Sequence, residues 1–326
     1  MRSVTCVQPS LSSLAWLRCW AGFFCGAAFL LGPVPAAGLL PPAETGDLYV
    51  SSFGGDEIAV YNGTGDYLRS FSAPGLDGPR GIVIVPDGGI FVASQHTSEV
   101  FVFSAAEEWE RSFSHAELAG PTGMALGDDD KLYVSSFDND QVVVFERSGA
   151  FDRIISDPAL DGPNCVAFNA AGDLFVANGI NAQIVRFGTG DPLVFTGGGL
   201  ASPMGIAIDT GGVLHVGGGS SDDIVRFDAD GTFLDEQSHP DLTGPQGLAF
   251  DARGHLFGSS FFQHQLVEFD ADGAYVQTFG QGPTEGALDQ PRSIAFWPVP
   301  EPGGALLLTV GAVCLIGTTL RPGARR

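Results

Sequence analysis

Six side chains recur at one place in this 326-residue chain, each preceded by a proline and followed by a small residue: Arg80, Thr122, Asn164, Met204, Gln246 and Arg292. Gathered at one point, they would present two cations, two amides, a hydroxyl and a thioether, with no carboxylate. A hard divalent cation needs several oxygen ligands together, and two guanidiniums would repel it. The set therefore implies no metal and no cofactor, and gives calcium no support. Two arginines side by side suit an anionic group such as a uronate. The plainer expectation is that each pairs with a nearby aspartate, since acidic residues are abundant and such surface pairs are common.

Histidine offers little by spacing. His96 and His264 fall in loops on the side where the six residues would meet, and Glu99, close to His96 in sequence, stands at a strand entrance. His215 occupies an aromatic position and is expected to pack, whereas His115, His239 and His255 read as solvated loop or turn residues. No Ser/His/Asp arrangement and no phosphate-cradling glycine loop at a helix start is legible, so no catalytic residue is assigned. Ser-Ser-Phe occurs three times, ending at Phe53, Phe137 and Phe261. An exposed Phe would stack on a sugar ring; packing between structural units is the plainer expectation. Aspartate-rich turns at 127–131, 228–231 and 270–273 lack the later acidic ligand of a calcium loop and read as tight turns.

The elements that must position these residues follow from composition and repeat. With 46 glycines and 21 prolines a long helical protein is excluded, while 44% hydrophobic residues are enough for a core. Net charge is −23, and residues 38–297 hold 37 of the 38 acidic residues but 10 of the 15 basic ones. Nucleic acid is excluded as a partner, because its phosphates would be repelled. Four strand patterns recur in fixed order. A Leu-aromatic-Val pattern lies at 48–50, 90–92, 132–134, 174–176, 214–216 and 256–258, with successive starts 42, 42, 42, 40 and 42 residues apart. An aromatic-ended pattern follows, then a looser polar one, then Pro-x-Gly-φ-Ala-φ, φ being an apolar residue. Such a period with four strands per unit predicts an all-β fold, a six-bladed β-propeller of four-stranded antiparallel blades. The post-proline strand is expected innermost, its small residues suiting the crowded axis. The strand at 293–296 should complete the blade begun at 48–50, an interlocked closure. The six post-proline residues then meet at one mouth of the axial channel, on the face with the longer loops.

The repeat resembles NHL-type six-bladed propellers, most closely at 203–227 and 245–269, and is similar to virginiamycin B lyase-like and gluconolactonase-like propellers. It departs from them where an aspartate usually follows the second strand: Ser52, Ser94, Ser136, Asn178, Gly218 and Ser260 stand there. Gluconolactonase-like enzymes hold a divalent ion at the axis with carboxylate and Asn ligands, a set that only Asn164 fits. A lyase-like enzyme would need a histidine with a partnering acid near the axis. The absent metal-ligand set, with the sorting tail described below, points to a non-catalytic module binding glycan or protein; the resemblance offers as alternative a propeller lactonase or lyase.

Both ends read as addresses. Residues 1–37 resemble a secretory signal peptide: Arg2 and Arg18 are its only charges, an apolar run covers 21–31, and small residues precede cleavage after Ala36 or Ala37. Cys6, Cys19 and Cys25 lie in that segment and Cys314 in the C-terminal one, so Cys165 is alone in the propeller and reads as a buried structural thiol. At the other end, Pro300, Glu301 and Pro302 precede an uncharged stretch, 303–320, and a basic tail of Arg321, Arg325 and Arg326. The stretch is long enough for one C-terminal transmembrane helix, with the tail cytoplasmic. Residues 298–326 resemble a PEP-CTERM sorting signal. That resemblance implies processing by an exosortase-type enzyme, membrane attachment beforehand, and export to the cell envelope or extracellular matrix. The propeller, residues 38–297, is expected to be monomeric.

Overall fold

The computed structural model describes residues 46–281 and 286–297. The expected signal peptide (1–37), the sorting motif at Pro300, Glu301 and Pro302, the transmembrane stretch and the basic tail lie outside the described residues. Among the described residues, no helix is long and apolar enough to cross a membrane.

The described residues form 24 strands in six four-stranded antiparallel sheets. Blade 1 takes its inner strand, Pro291–Trp297, from the end of the ring and its other three, Asp47–Ser52, Glu57–Tyr61 and Tyr67–Phe71, from the start. Leu48 opposes Phe296 and Tyr49 opposes Ala295, which is the expected closure. Blades 2 to 6 run from inner to outer strand in chain order, with inner strands Pro79–Ile84, Pro121–Leu126, Pro163–Phe168, Pro203–Ile208 and Pro245–Phe250. Each inner strand begins at the proline itself, which has no N–H to donate and is tolerated at a strand start.

No blade can bury both faces alone, and the core lies between blades. Six hydrophobic clusters each join one neighbouring pair, as where Phe91 and Val100 of blade 2 meet Leu132 and Val143 of blade 3. The aromatic residue ending the third strand anchors most of these seams: Tyr61, Phe103, Phe145, Phe227 and Phe269 are almost wholly buried. Each such side chain contributes about 1.5–3 kcal/mol by leaving water.

A bulge in every blade creates the channel mouth. In blade 2, Pro79 opposes Ser94 but Ile82 opposes Val92, so one extra residue is inserted on the inner strand. The other five blades slip at the equivalent place. A bulge takes its residue out of the ladder and re-aims the side chain. The small residue behind it is set by close approach: a Cβ on Gly123 would stand 2.6 Å from the Asn164 carbonyl oxygen of the next blade.

Candidate functional site

Arg80, Thr122, Asn164, Met204, Gln246 and Arg292 all line one cavity on the axis, of about 60 Å³. A water needs ~10–15 Å³, so the cavity holds a few waters or a group of three or four atoms, not a sugar ring. The six residues do unequal work. Thr122 Oγ1 donates to the Pro163 carbonyl at 2.9 Å, and Asn164 Nδ2 to the Pro203 carbonyl at 3.2 Å, each stapling its blade to the next. Met204 fills space over Gly219, where a Cβ would stand 2.8 Å from its Cγ. Gln246 Oε1 accepts from Arg292 Nη1 at 2.8 Å.

The arginines do not behave as abundance of aspartate led us to expect. Seven of the ten basic residues of the propeller form ion pairs with carboxylates. Arg80, Arg292 and, away from the mouth, Arg111 form none among the described residues, Arg111 bonding the Arg147 carbonyl instead. Arg80 gives one hydrogen bond, to Gln95 Oε1 at 3.3 Å. Arg292 lies over two rings, with Cζ 4.5 Å from the Phe53 centroid and 4.1 Å from that of Phe261, and its Nε is buried without a partner. Burial, and secondarily the neighbouring charge of Arg292, pushes Arg80 down to about 9. Burial alone pushes Arg292 down to about 10. Both are still cations at neutral pH, held where positive charge is disfavoured.

The Ser-Ser-Phe repeats turn out to be positioning devices. Their first serine braces the mouth: Ser51 Oγ donates to the Arg80 carbonyl at 2.7 Å and Ser259 Oγ to the Arg292 carbonyl at 3.0 Å. Their second serine ties the loop that approaches the proline, as Ser52 Oγ accepts from Asp289 N and Ser260 Oγ from Thr243 N. Ser94, Ser136 and Asn178 do the same, and Ser221 stands in for Gly218. Ser94, Ser136 and Ser260 also donate to a carbonyl of the same loop, which an ionised aspartate cannot do. The phenylalanines then pack between blades, as expected, with Phe53 and Phe261 also serving as platforms for Arg292.

Both loop histidines have acid partners that sequence proximity does not suggest. His96 Nδ1 lies 2.6 Å from Asp77 Oδ1, so Glu99 is not its partner. His264 Nδ1 lies 3.1 Å from Asp289 Oδ1 and 3.2 Å from the Gln290 backbone nitrogen. One nitrogen cannot serve both: unprotonated it accepts from Gln290, protonated it donates to Asp289. In blades 1, 3 and 5 the same inter-blade link is made by carboxylates, Asp56, Asp140 and Asp222, each accepting from a backbone N–H just before the next proline.

Elsewhere His215 packs edge-on against Phe250 as expected, and burial lowers its pKa. His115, His239 and His255 are not simply solvated: they stack on Phe151, stack on Tyr275 and bond the buried Glu268, respectively. Cys165 lines the cavity as a free thiol, raised by burial. The aspartates at 228 and 270 each accept two backbone N–H bonds of their own turn, which makes them turn formers. Among the described residues, no three His, Cys, Asp or Glu side chains gather as a metal-ligand set.

No family model matches the sequence, and no curated protein does. Solved structures do. A streptogramin B lyase aligns with a TM-score of 0.60 at 17% identity, over 76% of this chain and 83% of its own. A catalytically inactive virginiamycin B lyase from Staphylococcus aureus with quinupristin gives 0.57 at 15%, over 74% and 86%. A nidogen/laminin complex gives 0.64 at 14%, over 76% and 97%. At these identities the likeness is one of fold, and the six-bladed propeller is shared by proteins of unlike activity.

Proposed function

We propose that this chain is an exported propeller of the cell envelope or extracellular matrix, a non-catalytic module that binds glycan or protein through the channel-mouth face. The observation that carries this reading is the mouth itself. A symmetric ring has been given six unequal side chains, and two of them are cations without a carboxylate partner among the described residues. An uncompensated half-buried charge is unfavourable for folding, and a ligand that neutralises it gives a reason for its presence. The nidogen/laminin complex is a case of a similar fold found within a protein–protein complex. Export and sorting rest on the sequence of 1–37 and 298–326, with an exosortase-type enzyme as processing partner. Alanines in place of Pro300, Glu301 and Pro302 are expected to abolish processing and change location; unchanged fractionation would overturn the sorting part.

One observation favours the second reading, a lactonase or lyase: the His96–Asp77 pair, a histidine oriented by a carboxylate, lies on the same face. His96 adjoins Gln95, which holds Arg80. The purified protein is expected to leave lactones and cyclic esters intact over hours. Turnover that saturates with substrate would sink the binding-module reading.

A further inference from the structure

We infer that the group seated at the channel mouth is the carboxylate of a terminal uronate on an acidic glycan, held between Arg80 and Arg292. This deepens the binding-module reading and rests on it.

Three features of the mouth select the chemistry. The first is the unused donor set. A guanidinium has five N–H donors in a plane. Arg292 gives Nη1 to Gln246 and lies over the Phe53 and Phe261 rings; its Nε is buried without a partner, and Nη2, which bonds no described residue, is the donor left for a ligand. A charged N–H of this kind gives a carboxylate a charge-assisted hydrogen bond. Arg80 adds a second cation with one bond made, to Gln95.

The second is size. The cavity, about 60 Å³, admits a carboxylate and excludes the ring that carries it. The sugar therefore sits outside, end-on. Side-on binding of a polyanion is opposed by the surrounding charge of a chain with net −23.

The third is the rim. In blades 1, 2, 3 and 6 it carries Phe53, Gln95, Phe137 and Phe261; in blades 4 and 5 the equivalent residues are Gly179 and Gly219. The mouth thus carries no rim side chain on one side, where Gly179 adjoins Asn164 and Gly219 adjoins Met204. Such a notch suits the C–H face of a pyranose. A peptide lying there would need backbone partners, and the Asn164 amide is already bonded to Pro203.

The test uses the full-length protein and calorimetric titration with four probes: glucuronic acid, its methyl ester, glucose, and N-acetyl-glycylglycine as a peptide carboxylate. Glucuronic acid is expected to bind at least ~10-fold more tightly than the ester or glucose, the loss of one charge-assisted contact. Arg80→Gln and Arg292→Lys should each weaken it ~10- to 100-fold, the lysine failing because it keeps the charge and loses the planar group that lies over Phe53 and Phe261 and bonds Gln246. Melting temperatures of both variants are measured alongside, and the probe comparison needs no variant. Equal binding of acid and ester, or unaltered binding by folded variants, would overturn the inference. Tighter binding of the peptide carboxylate would also overturn it, making the mouth a peptide-terminus site. If neutral oligosaccharides bind the face instead, the binding module stands and the uronate falls. If a probe is turned over, the binding module falls.

Discussion

The two halves of the channel mouth occupy the same repeat position and use it in opposite ways. In blades 3 and 4 the bulged residue is a staple: Thr122 and Asn164 are nearly buried and each bonds the proline carbonyl of the next blade. In blades 1 and 2 it is a charge: Arg292 and Arg80 face the cavity, braced by serines from behind and by Phe53 and Phe261 at the side. One half contributes to ring stability and the other detracts from it. The bulge is common to both, so position is a property of the repeat and role a property of the residue.

The bulge itself should be the least tolerant part, in either half. Gly123→Ala places a Cβ 2.6 Å from two backbone atoms of blade 4, Asn164 O and Cys165 Cα, which no side-chain rotation relieves. A loss of about 3 kcal/mol or more is expected in thermal or denaturant unfolding. A near-neutral outcome would mean the inner strands are not as close as described. Next comes the staple half. Asn164→Ala removes the donor to Pro203 O and leaves a buried carbonyl unmatched, for a loss of about 1–3 kcal/mol.

The charged half should respond with the opposite sign. Arg80→Met removes a cation whose pKa is pushed down to about 9 by burial and by Arg292. Because the folded state holds that proton less tightly than the unfolded chain, the charge destabilises the fold at every pH below about 9, and the cost fades as pH rises toward the ordinary arginine range. Discounted for solvent screening of a half-buried group, a gain of about 1–2 kcal/mol is expected at pH 7. The gap between variant and parent should narrow above pH 9. If the variant is less stable at pH 7, Arg80 is structural and the contrast between the halves is wrong.

Much of the fold was legible because a 42-residue repeat with prolines and aromatics in register leaves few arrangements. Strand order, the interlock at Leu48 and Phe296, and the meeting of all six mouth residues followed from that register alone. The bulge was not legible, since one extra residue beside a proline has no compositional mark. Nor were the electrostatics. A net charge of −23 predicts that every arginine finds a carboxylate, yet Arg80 and Arg292 bond glutamines and Arg111 a backbone carbonyl instead. The same holds for His96, whose acid stands nineteen positions earlier, at Asp77, across a strand pair that only the folded blade brings together.

That pair provides the smallest expected effect on stability and the clearest test of what the charged half is for. His96 and Asp77 are both about half exposed, so His96→Gln should change stability by no more than ~0.5 kcal/mol. In a binding module nothing else changes beyond a modest effect on affinity through Gln95 and Arg80. In a lyase or lactonase, removing an oriented base would cut turnover by ~10²–10⁴-fold with the fold intact. The distinction is chemical. A base must reach a substrate proton, and a uronate whose ring lies on the blade 4 and 5 side of the mouth keeps that ring away from His96 in blade 2. If His96→Gln abolishes a measured turnover, the arginines become groups that bind and orient a reacting substrate. If it leaves uronate binding intact and no turnover exists to lose, the histidine is one more link between loops, and the arginines stand alone as the ligand site.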